Sequence, residues 1–184
     1  SVPGDITLLT PENFNGQVTI ASAGNTTGAG LKAQAALTAG SQTLLAGGTA
    51  VFDTGIQVQF AVTGADALTQ NFTITGLDLN GNAQTEVVAG AANGANTKST
   101  KSYSQVTSIV ADIDSPGASQ VTIGYIEGEA DNNFTIVGKD VFGNTITEVM
   151  SGVGGTLAAK SKNVFESVTS ISASKATGGI NLSI

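Results

Sequence analysis

The chain has 184 residues, 40% of them apolar but only 5% aromatic, with 24 glycines and neither cysteine nor histidine. Seven lysines, no arginine and 14 carboxylates give a net charge of −7. This composition excludes disulfides, thiolate sites and histidine-based catalysis, and it lacks the basic face and arginine forks that nucleic-acid binding requires.

Residues 1–16, SVPGDITLLTPENFNG, hold two prolines and several turn formers around a short strand candidate, ITLLT. They read either as a ragged terminus or as an arm that docks on a neighbour and buries Ile6, Leu8 and Leu9. QVTIASA at 17–23 is another strand candidate and GNTTGAG a turn. LKAQAAL at 31–37 is the one stretch with reasonable helix propensity. Short strand candidates follow at 42–45 and 49–53. From residue 56 a period of two sets in. Ile56, Val58 and Phe60 share one face; Phe72 and Ile74 share another, with Thr73 and Thr75 opposite. Alternating β-branched residues with threonine on the wet side predict half-buried antiparallel strands.

Residues 71–109 and 133–171 align without a gap at an offset of 62, and 18 of 39 positions are identical. A repeat of this length implies one folding unit used twice. Four strands are expected per unit: 56–63 and 119–126, 71–77 and 133–139, 83–89 and 145–151, 103–111 and 165–173. Asp78 with Gly81–Asn82, and Asp140 with Gly143–Asn144, predict tight turns between the second and third strands. The link between the third and fourth strands reads as a longer loop. Helical periodicity is nearly absent, so the expected fold is all-β, an antiparallel β-sandwich with internal duplication. The division that follows is an arm at 1–16, a first β unit with the N-terminal strands at 17–117, and a second β unit at 118–184.

Little of the sequence suggests chemistry. Asp78, Asn80 and Asn82 have D-x-N-x-N spacing with Glu86 beyond, like part of a calcium loop, but glycine at the sixth position and glutamate at the twelfth are missing, and Phe142 replaces Asn80 in the second copy. The plain-turn reading is favoured. Glu86 and Glu148 match across the repeat, as do Lys98 and Lys160. Paired carboxylates serve glycosidases, but residues matched by duplication belong to separate, similar sites, and an edge charge or a lysine partner explains them better; an inter-subunit ion pair between one of these lysines and one of these glutamates is a further option. Asp112, Asp114, Glu127, Glu129 and Asp131 form an acidic stretch that reads as a solubilising surface or as steering for a basic partner. Tyr103 matches Phe165, a shared aromatic without a shared hydroxyl, which argues core packing. The sequons at Asn25, Asn71 and Asn133 follow from the high Asn and Thr content. No cofactor or metal is expected, and no enzymatic activity.

The repeated form F-T-I-x-G-x-D-x-x-G-N-x-x-T-E, followed by K-S and then V-T-S-I, resembles tailed-bacteriophage virion proteins of the small β-rich head-decoration type; so does GTAVFDTG at 48–55. The resemblance covers roughly 48–173. It implies a β-sandwich on the outer surface of the capsid that bridges major capsid subunits as a cement and forms dimers or trimers, with no nucleic acid or membrane as partner. Ile6, Leu8, Leu9, Glu86, Lys98, Glu148 and Lys160 are then the interface candidates. The alternatives are a tail or head–tail adaptor component and a host receptor- or glycan-binding β module.

Overall fold

The computed structural model describes residues 5–6, 13–22, 24–44, 47–175 and 180–183, and these contain strands and no helix. The strands are β1 (Asp5–Ile6), β2 (Asn13–Gly16), β3 (Thr19–Ser22), β4 (Asn25–Ala35), β5 (Gly40–Ser41), β6 (Ala50–Thr63), β7 (Asn71–Leu77) and β8 (Ala83–Ala89). They continue as β9 (Asn96–Lys98), β10 (Tyr103–Ala111), β11 (Gln120–Glu127), β12 (Asn133–Lys139), β13 (Thr145–Ser151), β14 (Ala158–Lys160), β15 (Phe165–Ala173) and β16 (Ile180–Ser183). All pairings are antiparallel.

The expected strands at 71–77, 83–89 and 103–111 and their partners 62 residues later form with the expected bounds. They also share irregularities. In both copies the strand pairing slips at one threonine, Thr107 opposite β7 and Thr169 opposite β12. Each threonine hydroxyl donates to a carbonyl of the neighbouring strand, Thr75 O and Val137 O, at 3.0 Å. Beside each bulge lies a glycine that both copies retain. A Cβ on Gly76 would overlap the Gln105 carbonyl oxygen and press on the Tyr103 ring; on Gly138 it would meet the Ser167 carbonyl oxygen and the Phe165 ring. The glycine lets a buried aromatic lie across the strand.

The division of the chain differs from the expected one. Of the strand candidate at 17–23, expected in the first unit, residues 17–22 belong to the second: β3 pairs with β14 and β16, and Val18 and Ile20 lie in a core with Phe134, Ile136, Met150, Phe165, Val168 and Ile171. Strand β11, expected to open the second unit, instead pairs with β4 and β6, and its Val121 and Ile123 lie in the other core. The strand that matches β6 in the second repeat is therefore β2 and β3 together. Gln57 and Val58 find their counterparts in Gln17 and Val18. Ser99 Oγ accepts from Val58 N at 3.0 Å and Ser161 Oγ from Val18 N at 2.9 Å. The side-chain amides of Gln57 and Gln17 donate to the carbonyls of the same two serines. Likewise β11 on β6 corresponds to β16 on β3, and β5 on β10 to β1 on β15. The first repeat, β4 to β11, is thus inserted between β3 and β12 of the second.

In the first repeat β6 is unbroken. It bends at Gly55, whose φ of +65° suits glycine alone. The bend carries the strand from pairing with β10 to pairing with β9 and β11. One eight-stranded sheet therefore folds over its own core. In the second repeat the break between β2 and β3 leaves a five-stranded and a three-stranded sheet. Both repeats pack one layer on the other, a sandwich. Phe60 from one layer stacks on Phe72 from the other at 4.2 Å between ring centres; Ile20 and Phe134 take those places in the second repeat. LKAQAAL, with its helix propensity, lies mostly in β4, where pairing with β11 and burial of Leu31 outweigh local preference. The supposed long loop between third and fourth strands contains β9 and β14. They are only three residues long and show no apolar alternation, so the sequence carried no strand signal for them.

Where it is described, the N-terminal stretch pairs within the chain. β1 and β2 pair with β15 of the same chain, because the unpaired edge of β15 needs partners for its backbone groups. The backbone of Ile6 pairs with that of Ile171; Leu8 and Leu9 lie outside the described residues.

Candidate functional surface

Each repeat has a hairpin end, carrying the β7–β8 or β12–β13 turn, and an opposite loop end. The hairpin end of the first repeat rests on the loop end of the second. Gly128 N and Ala130 N donate to Gly55 O and Thr54 O at 3.0 and 2.9 Å. The Gln57 side-chain oxygen accepts from both the backbone N–H and the hydroxyl of Thr156 at 2.9 Å. Lys98 Nζ donates to the same hydroxyl at 2.6 Å. Leu79, Ala130 and Gly154 surround Gly55, and Gly154 lies so close to Ser102 that a Cβ there would overlap the serine oxygen.

The candidate interface residues separate on this frame. Lys98 is at an interface, but one within the chain. Its counterpart Lys160 is exposed at the free hairpin end of the second repeat. Glu86 makes no ion pair with either lysine. It accepts from Thr100 N at 2.7 Å and Lys101 N at 3.0 Å; Glu148 accepts from Lys162 N and Asn163 N at 2.7 and 2.8 Å. Both carboxylates tie the loop after the short strand to the edge strand, a structural task that explains their match across the repeat. Glu148, Met150, Ala159 and Lys160 line a shallow groove of about 260 Å³ between β13 and β14.

The D-x-N-x-N segment is a turn. Asp78 Oδ1 accepts from Asn80 N and Asn82 N, both at 2.8 Å, and Oδ2 from the Asn82 side-chain amide at 3.1 Å. Asp140 repeats this with Phe142 N and Asn144 N at 2.9 Å and the Asn144 amide at 3.1 Å. These bonds commit each carboxylate to holding its own turn. The same bonds, Asn82 first for Asp78 and Asn144 first for Asp140, hold both carboxyls below the ordinary aspartate range. Among the described residues no three acidic side chains converge as a metal site would require.

The acidic stretch is also largely occupied. Asp112 accepts from Asn71 N and its side-chain amide at 2.7 and 2.8 Å, which lowers its pKa. Asp114 accepts from Ala39 N, and Asp131 pairs with Lys175 at 2.7 Å. Glu129 is buried, with the Asn132 amide donating to it at 3.1 Å. Tyr103 and Phe165 are both fully buried. The Tyr103 hydroxyl has no hydrogen-bond partner among the described residues; burial, with Glu86 adding to it, drives its pKa far up.

Sequence reasoning missed the surface that remains. Val87 on β8 and Val149 on β13 are 62% and 64% exposed at matched positions. They stand on outward faces with Thr85 and with Thr145 and Thr147, on strands that end their sheets. The signal was present as T-E-V in both copies, but a valine in an alternating strand reads as core until its phase is known. Comparisons of the chain with protein-family models, with curated proteins and with solved structures found no match to any of the three.

Proposed function

We propose that this chain is a virion structural protein that decorates the outside of a tailed-phage capsid and cements neighbouring major capsid subunits. The observation that carries this reading is the outward Thr/Val face presented twice, with Val87 and Val149 exposed at equivalent positions of two repeats. The connection from Glu127 to Asn133 and the backbone hydrogen bonds to Thr54 and Gly55 join the two repeats that carry these faces. A rigid bivalent element gains avidity when two copies of one target lie at the matching spacing, as subunits of a shell do. The polar side chains of the body, Glu86, Glu148, Asp78 and Asp140 among them, are engaged in holding turns and loops, which supports an architectural task over a reactive one. Binding only to the assembled shell stabilises that shell by mass action.

The test is to add the purified chain to capsids that lack it. Saturable binding across the whole lattice and a raised capsid melting temperature are expected, and V87D/V149D together should weaken binding far more than either alone. Absence of binding overturns the reading. Density confined to a ring at the portal would replace it with the adaptor role.

A further inference from the structure

We infer that the second repeat's free hairpin end docks on the first repeat's free loop end in another copy of this chain, making a heterologous contact. The internal joint already pairs a hairpin end with a loop end, so each chain is left with one end of either kind. Both free ends carry exposed apolar side chains. On the free hairpin Phe142 is 86%, Val141 52% and Val164 47% exposed, where the first repeat has Asn80, itself exposed, Leu79 and Ser102. Where the covered loop end has Ala130, the free one has Leu68, 60% exposed, and Gly154 is matched by Ala92. Apolar groups concentrated at the free ends mark contact surfaces.

One ion pair fits the same pairing. Lys139, Lys160 and Lys162 lie around the free hairpin end, beside Asp140, Glu148 and Glu166. Asp66, Asp112 and Asp114 lie around the free loop end. Asp66 accepts from Asn93 N at 2.8 Å, which places a carboxylate beside Gly94, the counterpart of the Thr156 that receives Lys98 in the internal joint. Lys160, the counterpart of Lys98, would meet that carboxylate. Because the two surfaces differ, the contact closes into a ring or runs on as a filament, according to the rotation between copies.

The inference does not depend on the decoration reading, since it concerns the isolated protein. Sedimentation velocity over a concentration series should show assembly beyond the 18.2 kDa monomer, weakened by salt. F142D and L68D, each at an exposed site, should both sediment as monomers while keeping the wild-type melting temperature. Their association constants should drop more than about tenfold, as for loss of a central apolar anchor. Mixed together they should form a one-to-one dimer and nothing larger, because each retains the end the other lacks. As a second probe in this cysteine-free chain, F142C and L68C should oxidise to the mixed dimer in preference to either homodimer. A wild type that stays monomeric throughout, an L68D that assembles like wild type, or a mixture that does not pair would each overturn the proposal.

Discussion

The two repeats use one strand plan but differ in how the chain supplies it. The first repeat is continuous from β4 to β11, and its β6 passes unbroken from one layer to the other. The second is assembled from both ends of the chain, with β1 to β3 and β12 to β16 brought together across the whole inserted repeat. Contacts within the first repeat close shorter loops than those that join β3 to β14, which pair residues such as Thr19 and Lys160. Closing a long loop costs entropy before its contacts form. A prefolded first repeat removes most of that cost by holding Ser22 and Asn133 at fixed positions. The comparison teaches that similar sequence repeats can carry unequal folding autonomy.

The strongest way to break this comparison is to begin the chain at Gly24. The second repeat then loses three strands and the Val18 and Ile20 part of its core. Amide exchange should show full loss of protection across β12, β13 and β15, with protection in β6, β7 and β10 retained. Retained protection in both would show that β3 is dispensable and would undo the assignment.

Next in size are the core aromatics. F72A and F134A remove matched, fully buried rings, each expected to cost about 3–5 kcal/mol. Denaturant unfolding should separate them: F134A produces an early transition confined to the second repeat, whereas F72A destabilises the repeat on which the other is built. Ring loss without effect at either site would mean the cores are not the source of stability.

Smaller effects sharpen the equivalence. S99A and S161A each leave a backbone N–H, Val58 or Val18, without its acceptor, and a loss of about 1–3 kcal/mol is expected at either site. Unequal losses, read from melting temperatures of the two variants, would show that the matched bonds are not energetically matched. Y103F moves in the other direction. It copies Phe165 and removes a buried hydroxyl with no partner among the described residues, so stability should rise by about 1 kcal/mol. A drop would reveal an acceptor for that hydroxyl.

The smallest effect is the pH response of the two turns. Asp78 and Asp140 have folded-state pKa values depressed by their bonds to Asn82 and Asn144. A depressed acid binds its proton less readily when folded, so its contribution is present above the unfolded value, about 4, and fades as pH falls through the folded one. Chemical shifts of Asn82 and Asn144 amides, followed from pH 5 downward, should move together below about pH 4. D78N and D140N should each remove the change at one turn alone.

Much of the local structure was legible in the sequence. Thr/Val/Ile alternation marked β7, β8, β10 and their partners, and D-x-x-G-N marked the turns, because pleat period and turn dihedrals are set by residues close in the chain. The matched interface residues were legible only as a pattern. Glu86 and Glu148 stood out, yet nothing local revealed that each binds a loop 14 residues further on.

What the sequence determined by itself was an acidic all-β chain without thiol or imidazole, built on a repeat whose strands and turns can be read from period and spacing. Only the tertiary structure decided which repeat each strand completes. Q-V-T-I-A at 17–21 and Q-V-Q-F-A at 57–61 hint at the answer, but a strand's partner is chosen by which open edge and which core remain unfilled, and both are created by residues more than a hundred positions away. The same holds for the free ends: Phe142 and Leu68 belong to them only because the fold decides which hairpin end and which loop end meet within the chain.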